Sequence, residues 1–287
     1  MRKKFSAKRL EELLFSVLMK ASAVIVFGSL FVIIGTIIAR GIGSMNLDMI
    51  TKTPEGGYYL GKEGGVLNAI IGSFILTIAA TVLALLISLP VVLYINIFKG
   101  KGSRLAVVIR MSLDFLWGIP SIVYGAFGFT IMMFFGITAS LLAGIITVTL
   151  FILPIMARAM DEVISMVPHD LLEASYSLGA TKYETAFKVA TRQALSGIVS
   201  AALIAFGRGI GDAASVLFTA GFSDRIPLSL LQPAATLPLA IFFQLGTPFP
   251  EVQERAYASA FILTVLILII SILARFLTSR HKRNIIQ

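Results

Sequence analysis

The sequence predicts an all-α, polytopic membrane protein with six transmembrane helices. Only 14% of the residues are charged, 57% are hydrophobic and the mean hydropathy is +0.92, whereas ordinary soluble proteins are about a quarter charged. Residues 115–157 carry no charge, and as one helix they would be about 65 Å long, twice the roughly 30 Å hydrocarbon core of a bilayer. This run must therefore contain two spans.

The uncharged stretches give the elements in chain order. The chain is expected to fold back near Gly136, and the apolar run after the basic N-terminus is too long for a cleaved signal peptide. The six predicted spans are 14–39, 67–98, 107–135, 139–159, 193–222 and 256–277. We expect one transmembrane domain, 14–278, with a loop at about 160–192 and an external segment at about 223–255, flanked by an N-terminal segment, 1–13, and a tail, 279–287.

The distribution of basic residues predicts the orientation. Eighteen of the 24 Lys and Arg fall in 1–20, 99–110, 158–192 and 275–287, and only five fall in the connections on the other side. Because short cytoplasmic loops hold the excess of basic residues, we expect both termini in the cytoplasm of a prokaryote and the protein in its cytoplasmic (inner) membrane. This topology explains the net charge of +9 without a nucleic-acid partner.

Several kinds of chemistry find no support in the sequence. The chain has no cysteine, so it offers no disulfide and no thiolate site. The sequence GGYYLGK at 56–62 has the spacing of a P-loop, but Glu63 stands where a Ser or Thr hydroxyl would bind magnesium. We therefore expect a protein that is not an enzyme, with no metal or cofactor of its own.

The segment 168–193 predicts two short helices joined by a tight turn. Leu171, Leu172, Ser175 and Leu178 can share one face of the first helix, which breaks at Gly179. Thr181 and Glu184 have capping-box spacing for the second helix, on which Tyr183, Phe187 and Ala190 recur at helical spacing. Such a pair is typical of an element that docks into a groove of a soluble partner. The alternative is a surface pair that packs on its own bundle.

Three ionisable residues stand out in or beside the apolar runs. Arg208 and Asp212 lie four residues apart, where an ionisable side chain costs at least about 2.5 kcal/mol. Asp114 lies at the edge of another span. Each of these charges needs either a function or a partner. The structural alternative is that Arg208 and Asp212 neutralise each other, and that Asp114 caps a helix or pairs locally.

The short-helix segment resembles a known family. Glu173-Ala174-Ser175 with Gly179 is similar to the EAA loop of ABC importer permeases, which inserts a coupling helix into an ATPase subunit. The resemblance to phosphate-importer permeases, and within them to the PstA family, covers roughly 64–280. It rests on GGVLNAIIGS at 64–73, LWGIPSIVYGAF at 116–127, LGATKY at 178–183, GRGIGD at 207–212, LFTA at 217–220 and LQPAATLP at 231–238.

The resemblance implies a type I, MetI-like permease with several partners. These are a PstB-like ATPase that binds ATP, a PstC-like second permease, a PstS-like external phosphate-binding protein and membrane lipids. The residues it assigns to ATPase coupling are Leu171, Leu172, Glu173, Ala174, Ser175, Leu178, Gly179, Ala180 and Tyr183. Two positions depart from the family: Gly-Glu-Thr-Ala-Pro is Gly-Asp-Ala-Ala-Ser at 211–215, and the Leu-Pro after the EAA loop is Gln-Ala at 193–194.

A phosphate substrate gives the charged residues a chemical interpretation. The planar guanidinium of Arg208 can donate two parallel, charge-assisted hydrogen bonds to an oxyanion. Asp212 can accept the proton that phosphate still carries at neutral pH, which sulfate and molybdate lack. We therefore expect Arg208, Asp212 and Asp114 to line a substrate pathway. The alternatives are a permease for another oxyanion (sulfate, molybdate or phosphonate) and a secondary transporter that couples an ion through Asp212 and Asp114.

Overall fold

The computed structural model describes residues 7–55, 63–100 and 102–281, and it is almost entirely helical. The GGYYLGK stretch at 56–62 and the outer parts of the predicted N-terminal segment and tail lie outside the described residues. The helices are α1 (Ala7–Gly43), α2 (Leu47–Thr51), α3 (Leu67–Leu93), α4 (Arg104–Trp117), α5 (Ser121–Phe134), α6 (Leu141–Ser165), α7 (His169–Ser177), α8 (Lys182–Glu184), α9 (Thr191–Gln193), α10 (Leu195–Ile210), α11 (Leu237–Leu245) and α12 (Pro250–His281). The π-helical segment Tyr94–Phe98 extends α3, and a second one, Thr185–Ala190, joins α8 to α9. Two two-residue strands, β1 (Pro54–Glu55) and β2 (Glu63–Gly64), pair antiparallel.

Within the described residues, four continuous helices are long and apolar enough to cross a bilayer, and two bent helix pairs bring the total to six if each is one span. The continuous ones are Arg9–Gly43, Leu67–Phe98, Leu141–Ser165 and Pro250–Leu273. The predicted reversal near Gly136 is confirmed, because α5 ends at Phe134 and Gly136 has a left-handed φ of +66°. The all-α membrane fold is therefore confirmed, and the predicted number of six spans holds when each bent pair is counted as one span.

Two of the predicted spans are wrong as continuous helices. The third bends by 97° between α4 and α5, because Pro120 has no N–H to continue the helix and disfavours helical backbone at the residue before it. The fifth begins as predicted, after a 74° bend at Ala194 that separates it from the short helices, but its helix α10 ends at Ile210 instead of residue 222. Beyond Ile210 the Asp212 carboxylate accepts a hydrogen bond from the Ser215 N–H at 2.7 Å, which favours a turn over further helix.

Helices α3, α6 and α10 form the centre of the bundle around the most buried side chains. Met156 and Ile152 on α6 are fully buried against α3 and α10. Gly209 allows α10 and α6 to approach each other closely, since a Cβ there would lie 3.2 Å from the Val148 side chain of α6. At the periphery, α1 packs along α12, where Arg40 stacks over the Tyr257 ring.

The two ends of the bundle differ, and we call them the short-helix end, which carries α7 to α9, and the loop end, which carries residues 211–236. At the loop end the chain is irregular but its backbone is satisfied. The first N–H groups of α6, which have no partner within the helix, donate to carbonyls of this segment: Ser140 to Thr219, Leu141 to Gln232 and Leu142 to Leu230. Irregular backbone at membrane depth is tolerated where protein covers it in this way.

From the loop end the chain returns to the core through a buried, non-helical segment before α11. Ala235 and Leu237 are fully buried, and the Leu237 N–H donates to the Ser73 hydroxyl of α3 at 2.8 Å. Gly72 lets this backbone approach, because a Cβ there would clash with the Ala235 carbonyl. Residues 228–236 form this packed, non-helical return, and helix α11 follows from Leu237 to Leu245.

Candidate functional site

The two predicted short helices are present, and their turn has the predicted chemistry. Gly179 ends the first with a left-handed φ of +83°, a conformation that a side chain would strain. Thr181 caps the second: its hydroxyl accepts from the Glu184 N–H at 3.2 Å, and the Glu184 carboxylate accepts from the Thr181 N–H at 3.1 Å. The capping box is confirmed. The pair packs on the bundle through Ala186 and Ala190, which belong to the main core, so Ala190 is buried and is not part of an exposed docking face.

The expected common face on α7 does not form, because Ser175 points inward. Ser175 is 8% exposed and its hydroxyl lies 2.9 Å from the Thr185 hydroxyl, so it joins the two short helices to each other. Leu172 is half-buried and packs against the main core, whereas Leu178 is 89% exposed. The face expected from helical spacing is thus divided between anchoring residues and an exposed tip.

The exposed surface of the short-helix pair is apolar at its tip. Tyr183 is 61% exposed, and its ring packs against Phe187 with centroids 4.7 Å apart. Of the residues assigned to ATPase coupling, the exposed ones are Glu173, Ala174, Leu178, Gly179 and Tyr183, and the half-buried ones are Leu171, Leu172 and Ala180. Exposed aromatic and aliphatic side chains on an ordered, capped unit are suited to filling a groove in a partner.

Arg208 lies in the last turn of α10, about 20 Å along the helix from Leu195. A cation there is favoured by the partial negative charge at a helix C-terminus. Its guanidinium lies 5.5 Å from the centre of the Phe151 ring, and the side chain is exposed. No ion pair joins Arg208 to Asp212 among the residues that the structure describes. The alternative in which the two neutralise each other is not what this structure contains.

Asp212 lies at the start of a series of turns that follows α10. We call this series, residues 211–220, the gate segment. The Asp212 carboxylate holds the Ser215 N–H, and the Thr219 hydroxyl donates to the Ser215 carbonyl at 3.2 Å. Helix α5 approaches this segment closely at Gly125, where a Cβ would lie 2.8 Å from the Ala214 carbonyl oxygen. The close approach of α5 therefore restricts the position of the gate segment. Asp212, four residues after Arg208 in the chain, is half-buried.

Asp114 belongs to an ion-pair cluster at the short-helix end. Its Oδ1 lies 2.6 Å from Arg158 Nε, which joins α4 to α6. The alternative of a local ion pair is therefore present in the structure, and the expectation that Asp114 lines a pathway with Arg208 and Asp212 stays a prediction.

The same cluster contains residues that the sequence interpretation missed, and Asp161 is its centre. Arg110 donates to both Asp161 oxygens, from Nε at 2.8 Å and from Nη2 at 3.0 Å. Arg158 Nη1 donates to Oδ2 at 2.9 Å and Asn96 Nδ2 to Oδ1 at 2.7 Å. The available signal was an acid, Asp161, three residues after Arg158 in an apolar helix; both arginines had been counted only as basic residues of loops.

The described part of the chain contains no group of three or more metal-ligating side chains. What the arrangement offers instead is a short-helix pair with an exposed apolar tip at one end, an arginine with no ion-pair partner among the described residues near the other, and a bundle that connects them. These are features of a binding and transport protein.

Residues 93–283 match the family described as the binding-protein-dependent transport system inner membrane component. The phosphate transport system permease protein PstA of Haemophilus influenzae is 32% identical over 88% of this chain and 87% of its own length. The PstA protein of Yersinia pestis is 33% identical over 92% of this chain and 90% of its own. A probable ABC transporter permease protein, YqgI of Bacillus subtilis, is 29% identical over 84% and 86%.

Solved transporter structures share the fold. A chain of the MetNI methionine ABC transporter in an inward-facing conformation superposes with a TM-score of 0.60 at 20% identity, over 75% of this chain and 95% of that chain. A chain of an amino acid ABC transporter gives 0.57 at 20% identity, over 75% and 92%. At this level of identity the likeness concerns architecture alone, and it is the MetI-like architecture expected from the sequence.

Proposed function

The chain belongs to the family of binding-protein-dependent transport system inner membrane components, and we propose that it is the PstA-type permease subunit of an ABC importer of inorganic phosphate. The observation that carries the importer assignment is the short-helix pair, an ordered unit with an exposed apolar tip that leads directly into the bundle. The phosphate assignment rests on PstA relatives that match most of the chain.

The short-helix pair is the proposed contact with the ATPase. Leu178 and Tyr183 present apolar surface, while Ser175 bonds to Thr185 and keeps the two helices together. Because only three residues separate the end of α6 from the start of α7, a push on the pair moves α6 directly. ATP is bound and hydrolysed by the partner, a PstB-like ATPase, and the permease itself needs no cofactor.

Arg208 is the proposed anion contact. It is exposed, it has no carboxylate partner among the described residues, and its guanidinium can bind two oxygens of a phosphate ion. Asp212 follows where the helix ends, half-buried, and favours an anion that still carries a proton. In this proposal Asp212 discriminates against fully ionised oxyanions, and Asp114 is held at the edge of the pathway by its contact with Arg158.

The remaining components follow from the same assignment. One permease chain forms half of a pathway, so a PstC-like permease supplies the other half and a PstS-like external protein delivers phosphate to the loop end. With the short-helix pair against a cytoplasmic ATPase, both termini lie in the cytoplasm and the protein lies in the prokaryotic inner membrane. The excess of Lys and Arg in the segments 1–20, 99–110, 158–192 and 275–287 agrees with this orientation.

The test is uptake and ATP hydrolysis in vesicles that contain this chain with its neighbouring permease, ATPase and binding protein. We expect wild type to import phosphate in preference to sulfate, and Arg208→Gln to assemble normally but lose uptake. Arg9→Gln, which removes an exposed charge from α1, is the matched control and should transport normally.

Each other outcome contradicts a stated part of the proposal. Full uptake by Arg208→Gln would leave that arginine with a structural role only. Preference of wild type for sulfate, molybdate or a phosphonate would replace the substrate but keep the importer. Uptake by the chain in the absence of any ATPase would favour a secondary transporter and reject the importer.

A further inference from the structure

The ion-pair cluster at the short-helix end (Asn96, Arg110, Asp114, Arg158 and Asp161) has a fully satisfied centre. Each oxygen of the Asp161 carboxylate accepts two hydrogen bonds, all between 2.7 and 3.0 Å. The carboxylate is 5% exposed, so these donors replace the water that it lost on folding. The groups come from three elements: the π-helical turn after α3, helix α4 and helix α6.

The cluster is a poor device for stability alone. The cost of removing both charges from water offsets most of the Coulomb attraction in a buried ion pair, and apolar side chains of similar size often stabilise the protein equally well. What such a cluster supplies is a defined geometry: the planar fork of Arg110 accepts one position of the Asp161 carboxylate and few others. It therefore fixes the position of α4 along α6.

The contacts continue from the cluster in two directions. Toward the short-helix pair, Asp161 lies about two turns before the start of α7 on the helix that leads into it. Toward the loop end, α4 turns by 97° into α5, and α5 packs at Gly125 on the gate segment that holds Asp212. Cluster, bend and gate segment thus form a continuous series of packed contacts between the two ends of the bundle.

The outer pair of the cluster differs from its centre. The Asp114 side chain is 48% exposed and Arg158 is 27% exposed, so water competes for this contact. Arg158 can release Asp114 and still keep its bond to Asp161. The centre is therefore the firm connection between α4 and α6, and the outer pair is the part that can open.

We infer that Asp161 is a positioning residue for transport: it holds α4 to α6 so that movement of the short-helix pair reaches α5 and the gate segment. This inference rests on the proposed importer function. It adds that the coupling between ATP hydrolysis and transport depends on a carboxylate that touches neither the ATPase surface nor the anion. The chemistry involved is the bidentate arginine–carboxylate contact.

The test is the number of anions imported per ATP hydrolysed by the reconstituted four-component complex. Asp161→Asn keeps the size of the side chain but removes its charge. We expect ATP hydrolysis to stay within about twofold of wild type while uptake per ATP falls by about tenfold. Asp114→Asn should lower the ratio by about threefold or less, since water already competes there. Asp48→Asn, in an exposed pair with Lys52, is the matched control and should leave the ratio unchanged.

A purely structural role predicts a different result. If Asp161→Asn lowers hydrolysis and uptake in proportion, or leaves both unchanged, the inference is overturned. Should that variant fail to assemble, Arg110→Lys decides the question, because it keeps the charge and loses the fork. An intermediate ratio in Arg110→Lys supports the inference, and a wild-type ratio contradicts it. If the wild-type complex carries an anion other than phosphate, the number of anions imported per ATP is measured with that anion. A wrong phosphate assignment is therefore detected in the wild-type complex, before any variant is compared with it.

Discussion

Replacing Gly125 by alanine tests whether α5 sets the position of the gate segment. The added Cβ would lie 2.8 Å from the Ala214 carbonyl oxygen and 2.9 Å from that of Ser215. Both distances are about 0.5 Å shorter than the 3.4 Å at which ordinary contact begins. The opposing atoms belong to the backbone, so no side chain can rotate away and either α5 or the gate segment must move.

The size of the effect follows from this overlap. Overpacking of a well-packed interior costs about 1–3 kcal/mol. If the strain is relieved by displacing the segment that carries Asp212, the native arrangement of that segment becomes less populated by about 5- to 150-fold. We therefore expect Gly125→Ala to lower phosphate uptake by at least fivefold, with ATP hydrolysis retained because the short-helix pair is remote from the change.

The assay is initial uptake by the reconstituted complex, with assembly checked by co-purification of all subunits. Gly28→Ala in α1 is the matched control, because no atom lies within 4 Å of the Cβ it would add, and it should be neutral. Wild-type uptake by Gly125→Ala at wild-type thermal stability would refute the reasoning, since it would mean that the close approach of α5 places no constraint on the gate segment.

Three further predictions concern stability and docking. Met156→Ala opens a cavity at a fully buried position and should lower the free energy of unfolding in detergent by about 2–5 kcal/mol, whereas the exposed Met111→Ala should change it little; equal melting temperatures would contradict the assigned core. Ser73→Ala leaves the buried Leu237 N–H without its acceptor and should lower the free energy of unfolding in detergent by about 1–3 kcal/mol. An unchanged free energy of unfolding would mean that the N–H finds another acceptor. Thr181→Ala removes the capping box and should weaken co-purification of the ATPase while global unfolding is unchanged; unaltered binding would exclude a need for the capped second helix.

The features that the sequence predicted correctly are local ones. Gly179 and the Thr181–Glu184 spacing predicted a break and a capping box, and Gly136 marked the reversal of the chain. Such features depend on the conformation of a few adjacent residues, so their residue types are sufficient to identify them. The long uncharged stretches likewise predicted four of the six spans nearly to their ends.

The features that the sequence missed depend on residues far apart in the chain. Arg110 and Asp161 are separated by 51 residues, and nothing in either local sequence indicates the other as its partner. Ser175 was placed on an exposed face because helical spacing cannot tell which side of a short helix meets the bundle. Its bond to Thr185 exists only because the chain turns back at Gly179.

By itself the sequence determined the membrane class, the family and the presence of the short-helix pair, since these follow from hydropathy and short motifs. Only the tertiary structure decided that the third predicted span bends, that Asp114 pairs with Arg158, and that Asp161 ties α4 to α6. The physical reason is that in a membrane helix the side facing lipid and the side facing protein are equally apolar. Packing partners are therefore chosen by shape and by a few hydrogen bonds that form only when the helices meet.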